Sequence, residues 1–525
     1  MQVVLVSTYT YPLALGLRYV SSFLKRAGHD VTMLFMSSER DEAAAGFAQP
    51  LLDDFVQRCQ PADVVGLSLM TNSFYRSCVL TEAIRKAGVK APIVWGGTHP
   101  TVAPQESARV ADYVCIGEGE KVMVEFVEAL QAGRDPSRTR NFAYLRNGDL
   151  VRNPTCPLTD DLDDYPFPDY NMKGHWVAHK DKLVPAEPKR LRGALRRYRM
   201  SSTRGCPYSC SFCNNSTQMR IYQGPGLGKW VRKRSNASII AEIEGARERY
   251  PSIEAVNLID DLFLIRNEEE VAQFVEVYEE RVNLPLDLDA FPNTVTDRKI
   301  KLLSRLPIDL ISMGIQSGSE DTLRRLYHRP TKTDTIARAV RILSDHGVHA
   351  EYHYLVANPF EPEDNMRETL RFVADHHRGP AKTRIFPLQL YPGSAMYERA
   401  RKEGVIGEHH EEAYRFTYAG KKHIMQASYL DIWLRIVLAL RVAGVPSWWV
   451  HRVIDFALHR WVRRCLDNRL FAPAAYIAYR TGRMFYKNLI YKPFVRPVTA
   501  LTARRRRRRR RSSREHVQAE MRSAA

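Results

Sequence analysis

The sequence predicts an α/β protein with two successive arrays of parallel strands. An N-terminal doubly wound, Rossmann-like domain precedes a partial parallel (β/α)6 TIM-like barrel, and a small helical region follows. Three observations support this fold class. Short apolar runs alternate with helix-length segments over residues 1–140, a second alternation begins at Tyr198, and amphipathic helices without strands follow residue 410.

The predicted N-terminal domain begins with the strand QVVLVST, and the helix after it ends at Gly28. Four more short strands follow: DVTMLFM, ADVVGLSLM, APIVWGG and DYVCIGEG. Five strands with crossover helices indicate a parallel doubly wound sheet. Gly96 and Gly97 fall just after a strand end, where such a sheet binds its ligand, although a tight turn is the simpler explanation of any single glycine. No GxGxxG follows the first strand, so a dinucleotide is poorly supported.

Composition narrows the class of protein. Hydrophobic residues make up 44% of the chain and charged residues 26%, which is typical of a soluble globular protein and excludes a mostly disordered one. The N-terminus reads as a first strand and not as a signal peptide, so we expect a cytoplasmic protein. Cysteines in that compartment are kept reduced, and clustered ones are more often metal ligands or catalytic groups than disulfides.

Charge is concentrated near the C-terminus. Of the formal net charge of +19, an unbroken run of eight arginines contributes a large part, at Arg504 to Arg511. Residues 501–525 are therefore predicted to be a solvated, arginine-rich tail that contacts anionic lipid or nucleic acid. Residues 141–197 carry proline and like-charge clusters, and we predict a wrapping linker there rather than a domain.

Three of the eight cysteines lie in the stretch RGCPYSCSFC, as Cys206, Cys210 and Cys213. Three thiolates on one short loop can bind three irons of a cubane and leave the fourth iron without a protein ligand. A structural zinc site is the alternative, but it needs a fourth ligand and the chain has no second CxxC. Cys156 and Cys465 are isolated residues far along the chain.

The motif C-x3-C-x-aromatic-C at the start of a β/α array resembles the radical S-adenosylmethionine (SAM) superfamily. GGTHPTVAP and CIGEGE resemble its subgroup with an N-terminal cobalamin-binding domain, over residues 1 to about 405. The resemblance implies a cobalamin-binding domain at 1–140 and a barrel at 198–410. It also implies that the three cysteines hold a 4Fe-4S cluster, that SAM binds the open iron, and that a flavodoxin- or ferredoxin-type donor supplies the electron.

The resemblance also implies further cofactor contacts. Asp260 and Asp261 end a strand near the amino group of SAM, and the alternative is that they are helix caps. Gln316, Ser317 and Ser319 correspond to the stretch that contacts the ribose and the methionine carboxylate; here the alternative is a cap by Ser319. The predicted cofactor-binding set is completed by Phe212, Gly96 and Gly97.

Two departures from the family pattern affect the interpretation. Ala357, Asn358 and Pro359 stand where the family has a glycine-containing turn, on the adenine or substrate side of the pocket. His29 and His99 are the histidines of the first 140 residues, and neither lies in D-x-H-x-x-G, so no histidine of that motif would ligate the lower face of cobalt.

Three functions from different classes remain open from the sequence. The first is a two-stage methylase, in which cobalt accepts a methyl group from one SAM and a 5'-deoxyadenosyl radical from another activates the acceptor carbon. The second is a radical enzyme that rearranges, cyclises or otherwise changes a carbon centre without methyl transfer. The third is a non-catalytic metal-binding protein.

Residues 411–500 are predicted to form a helical region. Tyr429 to Cys465 reads as two amphipathic helices, and no stretch reaches the ~18 uncharged apolar residues of a spanning helix. Trp433, Trp448, Trp449 and Trp461 suit either a helical cap over the barrel mouth, with the tryptophans in the core, or a membrane interface. An interfacial cap would suit an apolar or lipid-like substrate. No nucleic-acid-binding module accompanies the basic tail, so we do not expect nucleic acid as a partner.

Overall fold

The computed structural model describes residues 1–9, 14–36, 46–377, 381–407, 414 and 428–466. Within these ranges three sheets occur, of nine, six and two strands. The strands are β1 Gln2–Ser7, β2 Asp30–Phe35, β3 Val64–Ser68, β4 Ile93–Gly96, β5 Tyr113–Cys115, β6 Phe142–Arg146, β7 Asp149–Arg152, β8 His175–His179, β9 Lys182–Pro185, β10 Arg197–Met200, β11 Thr203–Arg204, β12 Arg232–Lys233, β13 Ala255–Leu258, β14 Leu286–Ala290, β15 Ile308–Gln316, β16 Ala350–Val356 and β17 Lys382–Pro387.

The α-helices of the described residues connect and flank these strands. They are α1 Leu15–Arg26, α2 Gln49–Cys59, α3 Phe74–Lys86, α4 Thr98–Val102, α5 Pro104–Ser107, α6 Glu120–Gln131, α7 Pro188–Leu195, α8 Asn214–Ile221, α9 Asn236–Arg249, α10 Glu268–Arg281, α11 Asp297–Leu303, α12 Thr333–Asp345, α13 Glu363–His376, α14 Ala395–Lys402, α15 Tyr429–Val442, α16 Ser447–Leu458 and α17 Arg460–Leu466.

The N-terminal sheet has the strand order β7-β6-β5-β4-β3-β1-β2-β8-β9. The five predicted strands are β1 to β5, and all of their pairings with one another are parallel. The order reverses between β1 and β3, because β2 lies on the other side of β1. In a doubly wound sheet this switch point opens a crevice at the carboxyl ends of the strands, which is where ligands bind.

Residues 141–197, predicted to be a linker, supply four strands to this sheet. The hairpin β6–β7 pairs antiparallel with β5 at one edge. At the opposite edge β8 pairs parallel with β2, and β9 pairs antiparallel with β8. The segment does wrap around the sheet as predicted. Its strands were not predicted because they are short and lie among prolines and charges, which weakens the alternation that indicates a strand.

The six-stranded sheet has the order β10-β13-β14-β15-β16-β17, and each pairing is parallel. No hydrogen bonds join β10 to β17 among the described strands, so the barrel is incomplete and open on one side, as predicted. On β14, Leu286 and Leu288 are buried in the core that the surrounding helices share. Asp287 and Asp289 alternate with them and therefore face the barrel interior.

The C-terminal helices α15 to α17 pack against α13, on the outside of the barrel. Arg441 of α15 donates a hydrogen bond to the carbonyl of His377, just after α13, at 3.1 Å. Of the tryptophans predicted to lie in the core of a cap, Trp433 is buried. Trp448, Trp449 and Trp461 are exposed, so the expectation that they lie in the core of a cap is wrong. The arginine tail lies outside the described residues.

Candidate cofactor site between the N-terminal sheet and the barrel

The cysteine loop lies at the carboxyl end of β10, between β11 and the N-terminus of α8. Its centre is attached to the loop before Arg329: the Ser211 backbone N–H donates to the Tyr327 carbonyl at 3.0 Å, and the Ser211 hydroxyl donates to the Leu326 carbonyl at 2.6 Å. At its start, the indole N–H of Trp230 donates to the Cys206 carbonyl at 3.0 Å. These hydrogen bonds position the loop through Ser211 and the Cys206 backbone, and none of them uses a cysteine side chain.

A stack of planar groups packs against the cysteine loop. The rings of Tyr208 and Phe291 are parallel, with centroids 3.8 Å apart. On the same Phe291 ring lies the guanidinium of Arg329, 4.2 Å from the centroid. Phe212, predicted to belong to the cofactor-binding set, is half-buried and packs edge-on against Tyr327 at 5.1 Å. In this structure Phe212 is therefore part of the support of the loop.

Arg329 is the cation closest to the thiols. It is 5% exposed, and its Nη1 lies 3.8 Å from Sγ of Cys210. Burial raises the pKa of the Cys210 thiol, and the neighbouring guanidinium partly offsets that effect. Burial also raises the pKa of Cys206 to about 11 and that of Cys213 to about 12. Each thiol would lose its proton on binding iron, because the thiolate is the form that binds a metal.

The three cysteines can be compared with the ligands that a 4Fe-4S cluster and a single metal ion require. Among the described residues, no three His, Cys, Asp or Glu side chains form a group that could hold one metal ion. A structural zinc ion requires such convergence, usually with four ligands. Three thiolates that each bind a separate iron of a cubane do not converge on one point. The three cysteines on one loop fit the ligand set of a 4Fe-4S cluster with one open iron.

Asp260 and Asp261 both contact the segment that leads into the cysteine loop. Asp260 is buried and accepts hydrogen bonds from the backbone N–H groups of Ser202 and Thr203. Asp261 accepts from the Gly205 N–H at 2.9 Å and from the Asn215 side chain at 2.6 Å. The alternative that the pair caps a helix is wrong, since no side chain caps the short 3-10 helix that follows.

The three polar residues at the end of β15 do not share one environment. Gln316 has a positive φ of 72°, and its amide group occupies the space beside Gly314, where a Cβ would meet Nε2 at 2.4 Å. The Ser317 hydroxyl is buried against Thr369 of α13 at 3.0 Å. Ser319 is fully buried, and its hydroxyl has no hydrogen-bond partner among the described residues, so it does not cap the following helix. Gln316 is half-buried and Ser317 is used in packing.

A cavity of about 500 Å³ separates the N-terminal sheet from the cysteine loop. Its floor is the carboxyl edge of the sheet and includes the predicted residues Gly96 and Gly97. Its opposite wall includes Gly205 and Asp261. Gly97 has φ +96°, and a Cβ there would lie 2.9 Å from the Leu69 carbonyl oxygen, so a side chain at this position would strain the floor.

No histidine is among the residues that line this cavity in the described part of the chain. His99 is fully buried, with Nδ1 3.2 Å from the Thr71 hydroxyl, and burial lowers its pKa to about 4. His99 is therefore a neutral core residue, in line with its position outside the D-x-H-x-x-G pattern.

Several residues of the site were not predicted from the sequence. Arg329 carries no local motif, because it reaches Cys210 across 119 positions of the chain. Arg204 and Glu118, by contrast, stood inside the two quoted motifs, and their opposite charges gave a signal that was available. They pair at 3.3 Å at the edge of the cavity.

Models of known protein families match both domains that form this site. The model of the B12 binding domain matches residues 1–127, and that of the radical SAM superfamily matches residues 200–373. A B12-binding domain followed by a radical SAM domain is the class of protein that this fold and site define. The chain is a radical SAM enzyme, and its two domains are those that use cobalamin, a 4Fe-4S cluster and SAM.

Individual relatives are distant. An uncharacterized methyltransferase of Pyrococcus horikoshii is 25% identical over 74% of this chain and 78% of its own length. An anaerobic magnesium-protoporphyrin IX monomethyl ester cyclase of Rubrivivax gelatinosus is 24% identical, and the alignment covers 68% of this chain and 61% of the cyclase. The structure of TsrM, a radical SAM methyltransferase from Kitasatospora setae, has a TM-score of 0.61 at 17% identity, covering 77% of this chain and 76% of TsrM.

No helix of the described residues has both the length and the apolar character that a membrane span requires.

Proposed function

We propose that this protein is a cobalamin-dependent radical SAM methyltransferase that methylates an unactivated carbon of a small-molecule biosynthetic intermediate. The observation that carries the proposal is the cavity, because one wall is the ligand-binding edge of the B12-binding domain and the other adjoins the cysteine loop. The named methyltransferase relative and TsrM give further support.

The residues of this chain have separate tasks in the proposed function. Cys206, Cys210 and Cys213 would bind the cluster, and Gly96 and Gly97 would allow the corrin to approach the sheet. When bound, the cluster supplies the electron that cleaves SAM to methionine and a 5'-deoxyadenosyl radical, and cobalamin carries the methyl group. The cavity gives the two binding surfaces one shared space.

The aspartates and β15 residues complete this assignment. Asp261 lines the cavity, and we assign it to the amino group of SAM, directly or through the Gly205 backbone that it holds. Asp260 acts through the Ser202–Thr203 backbone. Gln316 is the residue of its stretch that we assign to SAM, whereas the contacts of Ser317 and Ser319 favour a packing role.

The barrel interior suggests what kind of substrate is bound. Asp289 of β14 is hydrogen-bonded to Ser312 and lies near Asp260 and Glu351, and burial raises its pKa to about 7. A purely apolar ligand against this carboxyl group would leave unsatisfied the hydrogen-bonding capacity that Ser312 does not use, at a cost of ~1–3 kcal/mol. We therefore expect a substrate with hydrogen-bonding groups, even where other parts of it are apolar or lipid-like.

A second candidate is a radical rearrangement or cyclisation without methyl transfer. The observation that favours it is the cyclase relative, which is as similar in identity as the methyltransferase relative. The two candidates share the cluster, SAM and the 5'-deoxyadenosyl radical. They differ in whether a SAM molecule also transfers its methyl group to an acceptor and is released as S-adenosylhomocysteine.

The test is anaerobic reconstitution with iron, sulfide and hydroxocobalamin, followed by reduction in the presence of SAM. A methyltransferase should show cluster and corrin absorbance and release both 5'-deoxyadenosine and S-adenosylhomocysteine. Release of 5'-deoxyadenosine alone would support the second candidate.

Cys210→Ala should abolish 5'-deoxyadenosine formation, because its loss removes one iron ligand. The matched control is Cys465→Ala, which changes an exposed cysteine on α17 and should leave product formation unchanged. Full turnover by Cys210→Ala would contradict the assignment of the cluster.

We also propose peripheral contact with anionic membranes through α16 and α17. Trp448 and Trp449 stack on each other and are 62% and 51% exposed, and Trp461 is 70% exposed. Exposed aromatic side chains among arginines are typical of a surface that enters a lipid headgroup layer.

A further inference from the structure

Two arginines next to the cysteine loop pair with carboxylates of the B12-binding domain. Arg204 of β11 donates from Nη2 to Glu120 Oε1 at 2.6 Å, and its Nη1 lies 3.3 Å from Glu118 Oε2. Arg232 of β12 contacts both carboxylate oxygens of Glu118 and is 1% exposed. We call these four residues the interdomain charge network.

The network contains two positive and two negative side chains, and the ion pairs between them compensate these charges. Arg204 and Arg232 are direct partners on adjacent antiparallel strands, where two like charges would repel. The Glu118 carboxylate lies against both. Burial alone would raise the pKa of Glu118, but Arg204 and Arg232 outweigh it and lower this pKa to about 2. Glu118 therefore stays ionised at neutral pH, and removal of its charge leaves buried positive charge unpaired.

The same loop of the B12-binding domain also attaches to the other end of the cysteine loop. Tyr222, just after α8, accepts a hydrogen bond at its hydroxyl from the Glu118 backbone N–H at 2.7 Å. The contact is close: a Cβ on Gly117, which has φ +82°, would lie 2.1 Å from that hydroxyl oxygen. Residues 117–120 thus hold the chain on both sides of Cys206–Cys213, through Arg204 before it and Tyr222 after it.

Glu118, Glu120 and Arg204 also line the cavity between the domains. We propose that the interdomain charge network positions the cysteine loop relative to the bound cobalamin, and so determines how efficiently SAM at the cluster donates its methyl group to cobalt. The inference rests on the proposed function. Its members are positioning residues, because they would act through the loop and not on the reacting atoms.

The proposal separates two reactions of SAM. Reductive cleavage needs only the cluster and SAM, which share one domain. Methyl donation to cobalt needs groups held by two domains, and a displacement of about 1 Å costs such a reaction ~100-fold. Loosening the network should therefore affect the second reaction far more than the first.

The experiment uses the full-length chain, reconstituted with the cluster and hydroxocobalamin, with SAM as the only substrate. Titanium(III) citrate is the reductant, and it supplies the electrons that convert cobalt to cob(I) and that reduce the cluster for SAM cleavage. Glu118→Gln keeps the shape of the side chain and removes its charge. We expect S-adenosylhomocysteine release to fall ~10–100-fold, while 5'-deoxyadenosine formation stays at the wild-type level. The matched control is Glu254→Gln, which breaks the exposed Arg196–Glu254 ion pair at the other end of the barrel and should change neither product.

A second readout is independent of methyl transfer. The magnetic interaction between the reduced cluster and cobalt in the EPR spectrum depends on their separation, and Glu118→Gln should change it while the control does not. Arg204→Lys, which keeps the charge but loses the two-pronged geometry, should give a smaller change of the same kind if Glu118→Gln does not fold.

A parallel loss of both products, or no change in either product and in the EPR interaction, would overturn the inference. Failure of the proposed function has a different signature, because the wild-type protein itself would then release no S-adenosylhomocysteine. In that case the EPR interaction still decides whether the network positions the loop.

Discussion

Gly97 is the residue at which the floor of the cavity is most sensitive to change. Its backbone conformation, φ +96° and ψ −165°, belongs to a region that only glycine adopts readily. We expect Gly97→Ala to cost ~1–3 kcal/mol of unfolding free energy and to weaken hydroxocobalamin binding. Urea unfolding and corrin absorbance after desalting would measure the two effects.

The control is Gly245→Ala in the middle of α9. A Cβ there would meet nothing within 4 Å, and alanine favours a helix by ~0.5–1 kcal/mol. If Gly97→Ala binds cobalamin and unfolds like the wild type, the floor does not constrain the glycine in the way described.

Asp289 should make the stability of the protein depend on pH. Burial raises its pKa from 3.8 to about 7, and the groups around it are Asp260, Ser312, Asp287 and Glu351. The folded state therefore binds this proton more tightly than the unfolded chain, so its contribution is complete below about pH 4 and is lost as the pH rises through 7.

Urea unfolding midpoints between pH 5 and pH 8 should fall more steeply for the wild type than for Asp289→Asn. The comparison isolates this residue from Glu361, whose pKa burial also raises to about 7. Identical slopes for the two proteins would show that Asp289 is solvated in the barrel.

The role of a residue could be predicted where it depends on spacing within a short stretch of sequence. Roles that depend on contacts between distant stretches could not. The cysteine triad needed only ten consecutive residues. The contacts of Asp260 with Ser202 and Thr203 could not be predicted, because they join positions almost 60 residues apart that meet only when β10 and β13 pair. The buried position of Ser317 depends in the same way on the packing of α13.

Among the elements, α16 and α17 carry three exposed tryptophans, Trp448, Trp449 and Trp461. We expect the full-length protein to sediment with vesicles rich in phosphatidylglycerol and not with vesicles of phosphatidylcholine alone. The Trp448→Ala/Trp449→Ala double variant should bind at least ~10-fold more weakly, since each buried indole contributes ~2 kcal/mol or more.

Trp433→Phe is the control for that variant. Trp433 is buried in the packing of α15, so this change alters a tryptophan without altering the exposed surface. Equal binding of all three proteins to anionic vesicles would assign the attraction to the basic C-terminal segment instead of the helices.

The elements of the two parallel arrays were predictable because each strand is a short apolar run with a helix after it. The four strands of residues 141–197 escaped prediction because pairing with an existing sheet edge, rather than their own composition, stabilises them. The placement of α15 on α13 likewise depends on a surface that forms only once the barrel has folded.

For the whole molecule, the location of the cavity between two domains has a thermodynamic consequence. A ligand at 100 times its Kd stabilises the folded state by about 2.7 kcal/mol. Because hydroxocobalamin would contact both walls, it should raise hydrogen-exchange protection in β13 and the cysteine loop as well as in β1 to β5. Protection limited to β1 to β5 would mean that cobalamin contacts the N-terminal wall alone.

The path of residues 141–197 around the first sheet limits how this protein can be divided. A fragment that stops at residue 140 would leave β5 and β2 as unpaired edge strands of the sheet. The backbone amides and carbonyls of these edges can pair with other protein molecules, and the fragment would then aggregate. A fragment that ends after Pro185 keeps β2 paired with β8 and β5 paired with β6. Measurements of cobalamin binding by the separate N-terminal domain should therefore use the fragment that ends after Pro185.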